Sequence, residues 1–285
     1  MPHPAPDRRD HEVLLKTTLD DAVKGLAAGR PRAARAAFRL GLMPLARRFR
    51  REIEDADELI GRLGLAAGAD QLLRVYSGPV AYSGLERIPA EGALVVVANH
   101  PGTVDTPAVM ASLAVRRDLK VLALDRPFLR AVPHLAAHLL YVGESVGHRG
   151  SLVRRAADHL RSGGAVLTFP AGEIEPDPAL RRADAVAALA SWSRSPELLA
   201  RLVPGTVVVP VAVEGVVSQR ALRSPLARRQ RTRDDRELAA ATLQILLRDR
   251  TIRPRLVVGE PLRGRPDAAA LASAMTALIG QAAGS

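Results

Sequence analysis

The chain has 285 residues, 47% apolar and 25% charged, a balance that excludes a disordered polyelectrolyte. Its formal net charge is +11, and Lys16, Lys24 and Lys120 are its lysines, so the excess is arginine; such a chain is drawn to polyanions such as an anionic bilayer or a phosphorylated co-substrate. An aromatic content of 3% argues against stacking on single-stranded nucleic acid, and the absence of cysteine removes disulfides and thiolate chemistry.

Residues 1–10 are Pro-rich and charged and read as a flexible tail. Met1 to Glu12 has no hydrophobic segment of the signal-peptide kind. Residues 11–75 read as helices that form a small N-terminal helical hairpin. Leu15, Leu19, Val23 and Leu26 recur at helical spacing, and Gly29 and Pro31 punctuate the pattern. Phe38, Leu42, Leu45, Phe49 and Ile53 then form an apolar stripe among Arg32, Arg35, Arg39, Arg47, Arg48, Arg50 and Arg51. A basic amphipathic helix of this composition suits a membrane surface, or a stripe packed on the rest of the protein. Pro44 is expected to kink this helix or end its first half.

From residue 78 to 285 the grammar is strand–helix alternation, which predicts an α/β domain with a mixed, largely parallel sheet flanked by helices. The expected strands are Leu94–Ala98, Val121–Leu124, Ala165–Phe169, Val207–Val213 and Leu256–Val258, all short and apolar. Expected helices are Pro107–Arg116, Pro127–Leu140, Ser151–Arg161, Ala179–Ala200, Asp234–Arg248 and about Asp267–Ala282. Gly163-Gly164 suits a helix end, and Arg220–Arg236 reads as a charged loop. No run of about 18 apolar residues is present, so a membrane contact is expected to be peripheral.

The chemistry concentrates after the first buried strand, in Asn99-His100-Pro101-Gly102-Thr103-Val104-Asp105. The carboxyl end of a strand is where open α/β sheets place their sites. The Pro-Gly turn can fold Asp105 back onto the ring of His100. An aspartate on one ring nitrogen fixes the tautomer and raises the basicity of the other, which can then take a proton from an attacking hydroxyl.

These residues carry a resemblance. Gly84-Leu85-Glu86-Arg87-Ile88-Pro89, Gly92, the strand Leu94–Ala98 and Asn99-His100-x4-Asp105 resemble the opening of the lysophospholipid/glycerol-phosphate acyltransferase family. Arg149, after Tyr141-Val142-Gly143, is similar in place to that family's second block. Phe169-Pro170-Ala171-Gly172 looks like its third, Phe-Pro-Glu-Gly, and Val208-Val209-Pro210-Val211-Ala212 looks like its fourth. The resemblance implies an O-acyltransferase with His100 as general base and Asp105 as its partner. It implies that Phe169, Pro170, Gly172 and Glu173 help bind the acceptor, with Arg149 near any phosphate and Pro210 shaping the acyl site. It implies no cofactor or metal; acyl-CoA or an acylated carrier protein would be co-substrate. The partners implied are a lipid acceptor and an anionic membrane, with the enzyme peripheral on its cytoplasmic face. Two departures stand out: Ala171 replaces the block's glutamate, and Glu173-Ile174 replaces Thr-Arg. Both turn the expectation from glycerol 3-phosphate towards the hydroxyl of a lysophospholipid or related polar lipid.

Other patterns in the same sequence point to other classes. Gly143-Glu144-Ser145-Val146-Gly147 has the Gly-x-Ser-x-Gly pattern of serine hydrolases, with Ser145 as nucleophile. No histidine follows His159, so the late triad base is missing. His134 and His138 are four apart, yet the sequence offers no third metal ligand beside them. A non-catalytic lipid binder of the same fold is the remaining alternative; nucleic-acid binding finds no zinc-finger spacing and no recognition helix.

Overall fold

A computed structural model describes residues 8–27, 30–143 and 146–281. In chain order the strands are β1 (Ala81–Ser83), β2 (Leu94–Ala98), β3 (Lys120–Leu124), β4 (Leu139–Val142), β5 (Ala165–Thr168), β6 (Val207–Glu214) and β7 (Arg255–Val258). The helices are α1 (Arg8–Ala27), α2 (Arg32–Leu63), α3 (Leu65–Tyr76), α4 (Asp105–Ser112), α5 (Pro127–Arg130), α6 (Pro133–Ala136), α7 (Val146–Arg161), α8 (Pro178–Ala188), α9 (Ser195–Leu202), α10 (Gln219–Leu222), α11 (Pro225–Arg228), α12 (Arg233–Leu247) and α13 (Ala268–Gln281).

The chain forms two compact units. The α/β unit takes Val80–Asp125, His138–Val216 and Pro254–Ser285. The helical unit takes residues up to Pro79 together with Arg126–Ala137 and Val217–Arg253, two segments that the sequence reading placed in the α/β part.

In the α/β unit one seven-stranded sheet has the order β1-β7-β6-β2-β5-β3-β4. Every neighbouring pair is parallel except β6 and β7. The sheet is thus mixed and largely parallel, as the strand–helix alternation predicts. β2 is fully buried along its length, which is why it reads as an unbroken Leu-Val-Val-Val-Ala run. Val95, Val97, Val166 and Val208 pack on one face against Leu152, Ala156, Leu160, Leu199, Met275 and Ile279 from α7, α9 and α13. At β2 the topology reverses: β5 joins it on one side and β6 on the other. All three are parallel, so the loops that leave them open on one edge of the sheet, the place where such folds bind ligands.

In the helical unit the stripe of α2 is spent on packing. Phe38, Leu42 and Leu45 lie against Ala22, Leu26, Ala239, Leu243 and Leu246. Phe49 stacks on Phe128 with centroids 6.2 Å apart, and Ile53 packs against Leu14, Ala131 and Val132. Of the two uses open to a basic amphipathic helix, the apolar face serves the internal one.

Several expected elements differ. Pro44 does not end α2, which runs unbroken from Arg32 to Leu63. Proline frees the carbonyl four residues back, here that of Leu40, and both residues are on the exposed side where water can take it. The helix expected over Pro127–Leu140 is instead two single turns, each begun by a proline, followed by β4. The helix expected over Ala179–Ala200 instead ends at Ala188, tightens into a 3-10 turn over Leu189–Ser191, becomes extended at Trp192 and restarts as α9, with Pro196 in its first turn. The expected loop Arg220–Arg236 contains α10, α11 and the start of α12, capped by Ser218, Ser224 and Thr232 side chains. Among the described residues no helix is long and apolar enough to cross a membrane.

Candidate active site

The loop after β2 begins with Asn99, 2% exposed. Its Nδ2 donates to the Val213 carbonyl at 2.8 Å, and its Oδ1 accepts the Val213 N–H at 2.7 Å. The amide thus extends the β2–β6 ladder by one position after the backbone has turned away, and fixes the point from which His100 departs.

Pro101 and Gly102 then reverse the chain. Gly102 has φ +91°, and Thr103 follows at φ +58°, a left-handed conformation rare for a β-branched residue. Thr103 Oγ1 donates to the Gly102 carbonyl at 2.7 Å and lies 3.0 Å from the Val216 carbonyl in the loop after β6. The reversal brings Asp105, at the start of α4, under the imidazole. His100 Nδ1 and Asp105 Oδ2 are 2.8 Å apart. The same Oδ2 accepts the Gly102 N–H at 2.6 Å, and Oδ1 accepts the Thr106 N–H and, at 3.1 Å, its hydroxyl. Asp105 is 1% exposed, whereas the His100 side chain is 27% exposed, so the imidazole reaches solvent over a buried counter-charge.

Burial and charge pull His100 in opposite directions. Burial alone would lower its pKa, but the Asp105 charge and hydrogen bond, with the Glu175 charge, leave it raised above 6.5. Burial would raise Asp105, but His100 and the two backbone N–H groups hold it below the usual carboxylate value. With Nδ1 taken by Asp105, Nε2 is the nitrogen that can exchange a proton with a bound molecule.

The loop after β5 supplies a second wall. The Phe169 ring sits 4.7 Å from the His100 ring, tilted by 35°. The Pro170 carbonyl accepts the Ser193 N–H at 2.9 Å. Gly172, at φ +70°, closes a turn onto the Phe169 carbonyl and leaves open space where a side chain would project. Glu173 is exposed. Two residues on is a group that the sequence reading missed. Glu175, 6% exposed, accepts the His100 N–H on Oε2 at 2.8 Å and the Trp192 indole N–H on Oε1 at 2.7 Å. Its own N–H donates to the His100 carbonyl at 2.8 Å. Burial raises its pKa despite these donors. Asp177, 1% exposed, accepts the N–H groups of Gly215 and Val216, each at 2.8 Å, and so ties this loop to the one after β6.

Other expected residues lie apart. Pro210 is buried in mid-β6, in register with Val97, three positions before the Val213 that Asn99 holds. A Cβ on Gly259 would come within 2.9 Å of both Pro210 and Leu278, so its ring belongs to packing under α13. Between Val208–Leu262 and Val211–Val258 three steps on β6 oppose four on its neighbour, an irregularity that suits a residue without an N–H. Pro210 therefore sits about 10 Å along the strand from the His100 level, by the rise of a β-strand. The Arg149 side chain and Ser145 lie outside the described residues. His134 Nδ1 bonds Asp57 in the helical unit, and His138 Nδ1 meets the Leu119 carbonyl in the α/β unit. The N–H groups at the start of α4 are already in use: those of Asp105 and Ala108 bond the Gly102 and Val104 carbonyls, that of Thr106 bonds the Asp105 carboxylate, and Pro107 has none.

Residues 79–214, which contain β2, the His100–Asp105 pair and β6, match the model of the family described as Acyltransferase. This acyltransferase match takes in 136 of the chain's 285 residues, a little under half. Among curated proteins, uncharacterized proteins of Mycobacterium bovis and Mycobacterium tuberculosis are each 36% identical over 102 residues, 33% of this chain and 26% of theirs. A Mycobacterium leprae counterpart is 35% identical over the same length, 25% of its own chain. The chain thus spans about a quarter of the length of the curated relatives it matches. Among solved structures, the 1-acyl-sn-glycerophosphate acyltransferase PlsC of Thermotoga maritima is 17% identical with a TM-score of 0.45, over 96% of this chain and 95% of that one.

Proposed function

We propose that the protein is an O-acyltransferase that moves a fatty acyl group from a thioester, acyl-CoA or an acylated carrier protein, to a hydroxyl of a lysophospholipid or related polar lipid. The observation that carries this reading is the His100–Asp105 pair, held at 2.8 Å at the carboxyl end of the central strand of an acyltransferase-family segment.

In this mechanism the acceptor hydroxyl gives its proton to His100 Nε2 as its oxygen attacks the thioester carbonyl. The tetrahedral intermediate collapses and expels the thiolate, which takes the proton back from the imidazolium. No acyl-enzyme forms. Asp105 keeps the proton on Nδ1 before the step and stabilises the imidazolium after it. Phe169 and Pro170 border the acceptor's approach, and the open face at Gly172, with Glu173 beside it, receives its polar head. Arg149 is assigned to a phosphate on the strength of the family resemblance. Pro210, buried away from His100, is assigned an indirect part, shaping the sheet beneath the acyl site.

Docking would be electrostatic. The apolar stripe of α2 is packed inside the helical unit, but Arg32, Arg35, Arg47 and Arg51 are exposed. They would hold the protein on the anionic cytoplasmic face of a membrane, each contributing about 1 kcal/mol near the surface. The direct test of the proposed reaction is thiol release from long-chain acyl-CoA, and from an acylated carrier protein, with a panel of lysophospholipids and glycolipids. Acceptor-dependent release supports it and names the acceptor class; thioester hydrolysis indifferent to acceptor opposes it.

A further inference from the structure

Glu175 holds residue 100 by both of its backbone groups. Its carboxylate accepts the His100 N–H, and its N–H donates to the His100 carbonyl. The second carboxylate oxygen is anchored to Trp192, which stands after α8 on a different part of the chain. Asn99 fixes where the chain leaves β2, and Asp105 fixes the ring, but neither holds the peptide units on the two sides of His100. A buried carboxylate is costly unless its oxygens are satisfied, and here both are spent on N–H donors.

We propose that Glu175 is a positioning residue for His100, clamping its backbone so that Nε2 is presented in one orientation, with Trp192 holding the clamp in place. This rests on the reading of His100 as general base. Among the described residues, Asp105 from its own loop and Glu175 from the loop after β5 are the charged groups that bear on His100. The clamp therefore also brings a second negative charge to the imidazolium that forms in the reaction.

The donor set makes the proposal testable. A backbone N–H and an indole N–H can only donate. In Glu175→Gln the carboxamide has one acceptor oxygen for the two, and its NH2 must face one of them. The variant should lower kcat about 10- to 100-fold, the scale of a misplaced catalytic group, with the KM for the thioester unchanged. Removing the charge should also move the acid limb of the kcat/KM profile to lower pH. In Trp192→Phe one donor is gone, so the double variant Glu175→Gln/Trp192→Phe lets the carboxamide oxygen turn to the His100 N–H. It should recover most of the lost kcat while the acid limb stays shifted.

Direct titration of the His100 ring by NMR reads the same charge effect without any turnover. The ring should titrate at lower pH in Glu175→Gln and in the double variant than in the parent. If the parent shows no acceptor-dependent release, the acyltransferase reading fails, and the ring titration alone decides the clamp. A Glu175→Gln protein with unchanged kcat and unchanged His100 titration overturns the proposal. So does one whose activity falls only in step with its Tm while the His100 titration stays put.

Discussion

The side-chain amide of Asn99 pairs with both backbone groups of Val213, at 2.8 and 2.7 Å, in place of a further residue of strand β2. Only an amide offers a donor and an acceptor side by side in this way. In Asn99→Ala the buried N–H and C=O of Val213 lose their partners, and each such group costs about 1–3 kcal/mol. Asn99→Asp keeps the acceptor but sets a carboxylate oxygen against the Val213 carbonyl. Chemical denaturation should show a loss of about 2–6 kcal/mol for the alanine variant. A stability equal to the parent would mean that the strand end is held by something else.

The opposed shifts of His100 and Asp105 fix the sign of two pH dependences. A base must be unprotonated, and the His100 pKa lies above 6.5, so the acid limb of kcat/KM should fall above pH 6.5, with activity rising as pH increases through it. For folding, the raised His100 pKa contributes stability that is fully present below its unfolded value and is lost as pH rises through the folded value. The lowered Asp105 pKa contributes stability present above its unfolded value and lost as pH falls through the folded one. The pair therefore stabilises the fold most between those two carboxylate and imidazole ranges. Asp105→Asn should abolish the shifted limb and cut kcat by roughly 10²–10⁴-fold, because the carboxamide cannot accept from Gly102, Thr106 and His100 together. Rate–pH profiles of the two proteins check both statements, and an acid limb below 6.5 in the parent contradicts the first.

Docking through exposed arginines, with the apolar stripe buried, predicts binding that salt removes. Flotation with anionic vesicles at low ionic strength should capture the protein, and binding should fall steeply as salt shortens the screening length. Replacing Arg32, Arg35, Arg47 and Arg51 by serine should weaken capture without changing the fold. No binding even at low salt would remove the membrane from the account. Binding that salt leaves untouched would mean an apolar insertion instead.

Much of the α/β unit was legible because β2, β5 and β6 are buried along their whole length and β7 along most of it, while β3, mostly half-buried, is still apolar after Lys120. β2, β3, β5, β6 and β7 each read as a short apolar run. Strands β1 and β4 were not. β1 is a three-residue edge strand that alternates exposed and half-buried positions, too short to show a period. β4 was lost because Leu139 and Leu140 continue the apolar spacing of Pro127–Ala136, which proline then divides into single turns. In the site, His100 and Asp105 were legible from a strand end and a turn. Glu175 was not, because nothing in Gly172-Glu173-Ile174-Glu175 distinguishes the exposed glutamate from the buried one. That distinction comes from Trp192 and the His100 backbone, both distant in sequence. The packing of the α2 stripe was undecidable for the same reason, since its partners lie in α1, α12 and the turns near residue 130.

The central claim is that His100 takes the acceptor's proton. The measurement that tests it most directly is acceptor-dependent thiol release by the intact protein beside His100→Ala, with folding of both checked by circular dichroism. The account predicts release by the parent and a loss of about 10²-fold or more in the variant, the scale of a general base. Release that survives in a folded His100→Ala protein would contradict it.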